Sequence, residues 1–188
     1  MSLSSFLRPT DLDTAPVPEP GTAAPKIPGD KLHATRPRLV LFLRHVGCPF
    51  AEASLRALDG IAGEHPWLEC IAVSHGTGSA NAAYWHKLQI EHVRAVNDPE
   101  REIYARYGLG VTPIKHFIGW DSVSGAFALL RRGIRNRRPS GSRWQSAGAF
   151  AVDSTGVVRW CHVPVHAADL PPLDDLGDTL RPLLVPPS

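Results

Sequence analysis

Long apolar runs are missing from this chain. No segment approaches the roughly 20 consecutive apolar residues a bilayer-crossing helix needs, so none is expected. The N-terminus has no basic region followed by an apolar stretch and a small-residue cleavage site, so the expected compartment is the cytoplasm, with no membrane partner. Cysteine is scarce: Cys48, Cys70 and Cys161 are the only three in 188 residues, and their spacing fits neither a zinc site nor a disulfide scaffold. An excess of one charge is also lacking. Twenty Lys and Arg against 18 Asp and Glu leave +2, too little to argue for nucleic acid. His75, His86, His92, His116, His162 and His166 lack the helical His-x-x-x-His spacing of ligands, so no metal site is expected. No internal repeat is visible.

What the chain does have is an ordinary globular balance, 43% apolar and 20% charged, in a length that suits one domain. Residues 1–35 carry Pro9, Pro16, Pro18, Pro20, Pro25 and Pro28, which break any helical or strand period and predict an extended arm or lid. Residues 36–185 are expected to form the domain. Leu39-Val40-Leu41-Phe42-Leu43 reads as a strand buried on both faces, and 50–62 as a helix with Ala53, Leu55, Leu58 and Ile61 at compatible spacing. A strand over 68–74, a helix over 79–88 capped by Ser79, and a strand over 92–96 follow. Pro99 is placed to open a helix that stops at Gly108. A further helix is expected over 119–130. The basic cluster Arg131, Arg132, Arg135, Arg137 and Arg138 reads either as a solvated loop or as a contact for an anionic substrate. Two apolar runs, 149–152 and 157–160, flank Asp153-Ser154-Thr155-Gly156 and predict an antiparallel hairpin. A final helix over 173–184 is expected to bury Leu173, Leu176, Leu180 and Leu183. Strand–helix units followed by a hairpin and a helix predict an α/β chain, a mixed central sheet flanked by helices in the thioredoxin-like arrangement.

Cys48 lies in Arg44-His45-Val46-Gly47-Cys48-Pro49-Phe50, between the first strand and its helix. A helix N-terminus favours thiolate over thiol, and a cation from Arg44 or His45 aimed at the sulfur would lower the thiol pKa further. Gly47 permits close approach of substrate, and Pro49 suits the first helical turn. Trp120 and Trp144, in loop-like sequence, are candidates to line a pocket. Cys70, inside a predicted strand, reads as core.

The segment 36–53, with Leu39 to Phe50 at its centre, resembles the active-site segment of the AhpC/TSA-type, peroxiredoxin-like proteins. Asn97-Asp98-Pro99 running to Gly108-Leu109, and the hairpin from Gly148 to Trp160, are similar to two later stretches of that family, so the resemblance spans about 36–180. It implies a thiol-dependent enzyme that reduces hydroperoxides at Cys48, beside which His45 and Arg44, close by in sequence, are the candidate catalytic partners. Gly47, Pro49, Phe50, Trp120, Arg143 and Trp144 are the candidate substrate-binding residues. Where the family carries Thr or Ser three residues before the cysteine, this chain has His45. Where it carries an Arg before the late strand, this chain has Ala147, with Arg143 a little earlier. Ala51 stands where some relatives have a second thiol. That leaves Cys161 as the candidate resolving cysteine, or else an external thiol such as glutathione or thioredoxin as reductant, with no other cofactor. A homodimer fits the resemblance. Two alternatives stand beside it: an enzyme of this fold repurposed for another small molecule through His45 and Cys48, and a non-catalytic binding module.

Overall fold

A computed structural model of the chain describes residues 12–30, 36–112, 141–166, 169–173 and 176–184. The helix expected over 119–130, the basic cluster of Arg131 to Arg138, His116 and Trp120 lie outside these residues.

An apolar run with no polar face can only be a strand covered on both sides, and β1 (Arg38–Phe42) is buried along its whole length. It pairs in parallel with β2 (Glu69–Ser74), which pairs in parallel with β3 (Arg94–Asn97). On its other edge β1 pairs antiparallel with β4 (Gly148–Val152), the first arm of the hairpin completed by β5 (Val158–His162). The sheet order is β3-β2-β1-β4-β5. Side chains alternate across it. Leu39, Leu41 and Leu43 face a cluster formed with α1 (Pro49–Glu64), α2 (Gly78–Leu88) and α4 (Leu176–Leu184). Val40 and Phe42 face a second cluster with Ile103, Tyr104 and Tyr107 from α3 (Glu102–Arg106) and the turn after it. This mixed sheet between helices is the expected thioredoxin-like arrangement.

Three helix boundaries differ from expectation, each for a local reason. The N-cap of α2 is Thr77 rather than Ser79, and no side chain caps it. Pro99 sits in a turn, not in a helix. Arg101 adopts a left-handed φ of 60°, which delays α3 to Glu102. The Asp98 carboxylate then reaches forward to accept the N–H groups of Glu102, Ile103 and Tyr104 at 3.0, 2.8 and 3.1 Å. Helix α4 begins at Leu176. Leu180 and Leu184, four apart, share its buried face, whereas Leu183 is 49% exposed because one residue further along turns the side chain by about 100°.

The described part of the N-terminal arm is extended, and it lies on the second cluster's side of the sheet. Gly21 donates to the Val158 carbonyl at 2.8 Å, and Val158 donates to the Thr22 carbonyl at 2.9 Å. Tyr107 donates its hydroxyl to Pro25, and Ile27 is buried among the aromatic residues. Asp30 pairs with Arg38 and, at 3.1 Å, with Arg94.

Where β1 ends, the fully buried Tyr104 hydroxyl sits 2.6 Å from the Leu43 carbonyl and 2.9 Å from that of Val73, tying the exits of β1 and β2 to α3. Tyr104→Phe leaves a buried carbonyl without this donor. It is expected to lower unfolding free energy by about 1–2 kcal/mol in urea titration, with the slope unchanged.

Candidate functional site

The chain leaves β1 at Phe42 and must reverse to start α1. Gly47 makes that turn at φ +93°, a conformation costly for other residues. Cys48 then takes extended dihedrals as the N-cap of α1, and Pro49 opens the helix. The turn brings Arg44 back over its own helix start, with Nη2 3.1 Å from Cys48 Sγ. The sulfur is only 2% exposed as part of its residue. Burial pushes the thiol up. A side-chain hydrogen bond with His45, the charges of Arg44 and His45, and the Ala51 N–H oppose this, and together bring it from 9.0 down to about 6. His45 is buried, with Nδ1 3.1 Å from the Val46 carbonyl. Only an N–H can satisfy that oxygen, so Nδ1 carries the proton and Nε2 is the ring nitrogen available to the sulfur.

Cys48 opens into a cavity of about 40 Å³. Its walls are mostly apolar: Leu41, Leu43, Phe50 and Ala51 beneath, Ala147 and Gly148 at the start of β4, and Pro164, Leu170 and Pro171 from the segment after β5. Arg44, Ser54, His166 and Asp169 are its polar lining residues. Of the residues expected at the site, Arg44, Cys48 and Phe50 therefore line one cavity, with His45 buried beside the sulfur. Gly47 and Pro49 shape the turn and do not line it. Arg143 and Trp144 belong to another wall: Trp144 accepts the Thr112 N–H at 2.7 Å, and neither residue lines the cavity. Next to them Ser142 donates its N–H to His75 Nε2 at 2.9 Å. Burial, with His45 and Arg101 nearby, pushes His75 down to about 4 and keeps it neutral. None of residues 12–30 lines the cavity either, so the described arm is a strap on the far face and not a lid over Cys48.

Cys161 is not brought together with Cys48. It pairs with Phe150 across the hairpin and packs against the second cluster, whereas Cys48 belongs to the first. The sheet separates them. Cys70 is buried in the core, where desolvation and the carboxylates of Asp59 and Glu69 push its thiol up to about 12. The segment after β5 escaped sequence reasoning, because Pro164, His166 and Asp169 form no motif and meet Cys48 only through the hairpin's return. Among the described residues no group of three or more His, Cys, Asp or Glu is placed to hold a metal, and no helix is long and apolar enough to cross a membrane.

Three outcomes follow from this geometry. With the thiol near 6, alkylation of Cys48 by iodoacetamide should level off above pH 7 and fall about tenfold per unit well below 6, because only the thiolate reacts. Arg44→Ala should move that profile upward by a unit or more, read by the same pH series. Cys161→Ser should leave the lifetime of an oxidised Cys48 unchanged in the absence of added thiol, measured by timed trapping with a sulfenic-acid reagent.

No protein-family model matches the chain, and no curated protein matches it. Solved structures do. A peroxiredoxin-like protein from Aquifex aeolicus superposes with TM-score 0.64 at 16% identity, covering 90% of each chain. A thiol peroxidase from Chromobacterium violaceum gives 0.62 at 18%, covering 89% of each. Mycobacterium tuberculosis AhpC gives 0.57 at 15%, covering 89% of this chain and 99% of its own. Together with the strand order and the cysteine-bearing turn, these likenesses give the chain the thioredoxin-like fold of peroxiredoxin-type structures.

Proposed function

We propose that this protein is a thiol-dependent peroxidase acting on hydroperoxides through Cys48, with an external thiol restoring it. The observation that carries the reading is the buried Cys48 sulfur, 3.1 Å from the Arg44 guanidinium in an apolar cavity and ionised near neutrality. The thiolate attacks the terminal peroxide oxygen; an S–O bond forms, the O–O bond breaks, and the leaving alkoxide takes up one proton from a donor in the cavity or from solvent to depart as the alcohol. The sulfenic acid then condenses with an external thiol, releasing water, and a second thiol attacks the mixed disulfide, so that the disulfide of the two external thiols leaves and Cys48 is regenerated. Glutathione or thioredoxin in a reducing cytoplasm would serve.

Each neighbour has a role in this reading. Arg44 holds the sulfur as thiolate and sets a guanidinium charge beside the attacking atom, whereas the family draws its arginine from further along the chain. His45 hydrogen-bonds the sulfur and takes up the thiol proton. Apolar walls exclude water, which strengthens the Arg44–sulfur attraction and protects the sulfenic acid from solvent. Phe50 contributes to that wall. One alternative loses ground on the same observations, since a binding module has no use for an ionised thiol beneath a cavity. An enzyme of this fold repurposed for another small molecule would use the same Cys48 thiolate and His45, and the hydroperoxide experiment below separates it from the peroxidase.

Brief exposure of the intact protein to tert-butyl hydroperoxide should add one oxygen atom, located at Cys48 by peptide mass spectrometry. Cys48→Ser should abolish both that adduct and thiol-dependent hydroperoxide consumption. Full turnover in Cys48→Ser would overturn the reading.

A further inference from the structure

We propose that His166, on the segment after β5, is the acid that protonates the oxygen leaving during attack by Cys48, a role that rests on the peroxidase reading above. Attack by a thiolate expels an alkoxide, a poor leaving group unless a proton reaches it as the O–O bond breaks. Arg44 and His45 both lie against the sulfur, beside the attacking atom rather than the leaving one. A donor on the cavity wall formed by the segment after β5 would reach the departing oxygen directly, and on that wall His166 and Asp169 are the polar residues beside Pro164, Leu170 and Pro171.

His166 is built into it. The imidazole lines the same cavity as Cys48, and its Nδ1 is buried without a hydrogen-bond partner among the described residues. A buried polar atom left unsatisfied is costly, and native proteins tolerate it chiefly where a ligand or water completes it. Asp169, the other polar residue of this segment in the lining, makes no hydrogen bond to that nitrogen. Its carboxylate accepts the Val165 N–H at 2.9 Å and pairs with His162 Nε2 at 3.3 Å. Its own N–H donates to the His166 carbonyl at 3.1 Å. Asp169 and His162 thus hold the segment, and His166 is the group left over for a ligand.

The step balances. Thiolate, hydroperoxide and the protonated imidazole give sulfenic acid, alcohol and neutral imidazole; solvent returns the proton to the ring. The S–O bond forms with the sulfur's electron pair, and the O–O pair leaves on the alkoxide oxygen, which takes the His166 proton.

Stopped-flow measurement of Cys48 oxidation in the full chain tests this, with His166→Phe and His166→Gln compared with the unaltered protein. For tert-butyl hydroperoxide both variants should slow by about 10²-fold, a usual share for a positioned acid. For a peroxyacid, whose carboxylate departs without a proton, the same variants should stay within about threefold of the parent. A misplaced loop would slow both oxidants alike, and that result overturns the proposal; so does an undiminished rate with tert-butyl hydroperoxide in either variant. Iodoacetamide alkylation of Cys48 should be unchanged in both, and a parallel loss there would assign His166 to the thiol instead and equally overturn it. If the unaltered protein shows no oxidation at Cys48 at all, the peroxidase reading itself fails and takes this role with it. Normal oxidation with unaffected variants removes only His166.

Discussion

Everything at the site hangs from one constraint: β1 is apolar on both faces and must be covered on both. Burial of Leu39, Leu41 and Leu43 against α1 and α4, and of Val40 and Phe42 against α3 and Tyr107, leaves the strand only one position in the centre of the sheet. Its last residues then exit at a fixed height. Tyr104 secures that exit by reaching Leu43 and Val73 together. From there a three-residue reversal through Gly47 returns the chain onto its helix, and Arg44 and Cys48 meet because the turn is tight. The chemistry is thus a consequence of packing on the opposite side of the sheet as much as of the cysteine's own neighbours.

Two buried thiols in one core show how far local charge decides reactivity. Cys48 and Cys70 are equally hidden from water, and burial pushes both upward. At Cys70 the nearby charges are the carboxylates of Asp59 and Glu69, which add to the effect and hold it as an inert thiol near 12. At Cys48 a guanidinium, an imidazole and a helix N–H reverse it to about 6. Desolvation magnifies whichever sign of charge is present, since the same low dielectric that penalises an ion strengthens its partner.

The cover over the site comes from an unexpected direction. Proline in the N-terminal arm predicts an extended segment, and the described part is extended, but its backbone bonds to β5 and Asp30's pairing with Arg38 and Arg94 hold it on the far face. The wall facing Cys48 is instead the segment leaving β5, shaped by Asp169 through His162 and Val165. Ala147 and Gly148, small residues at the start of β4, leave room between that wall and Arg44.

The order of strands and helices, the doubly buried β1, the hairpin and the strand-to-helix position of Cys48 were legible in the sequence, because each rests on local hydrophobic period or turn chemistry. Element ends were less so: Arg101's left-handed turn and the reach of the Asp98 carboxylate, not Pro99, set where α3 begins. What tertiary structure alone decided is which distant residues share a space. The sheet placed Cys161 on the opposite face from Cys48, left Arg143 and Trp144 off the cavity beyond the Ser142 that bonds His75, and returned His166 and Asp169 to the cavity. Spacing along the chain carries no trace of those meetings, since side-chain parity and the path of a loop after its strand are settled only when both sheet faces close.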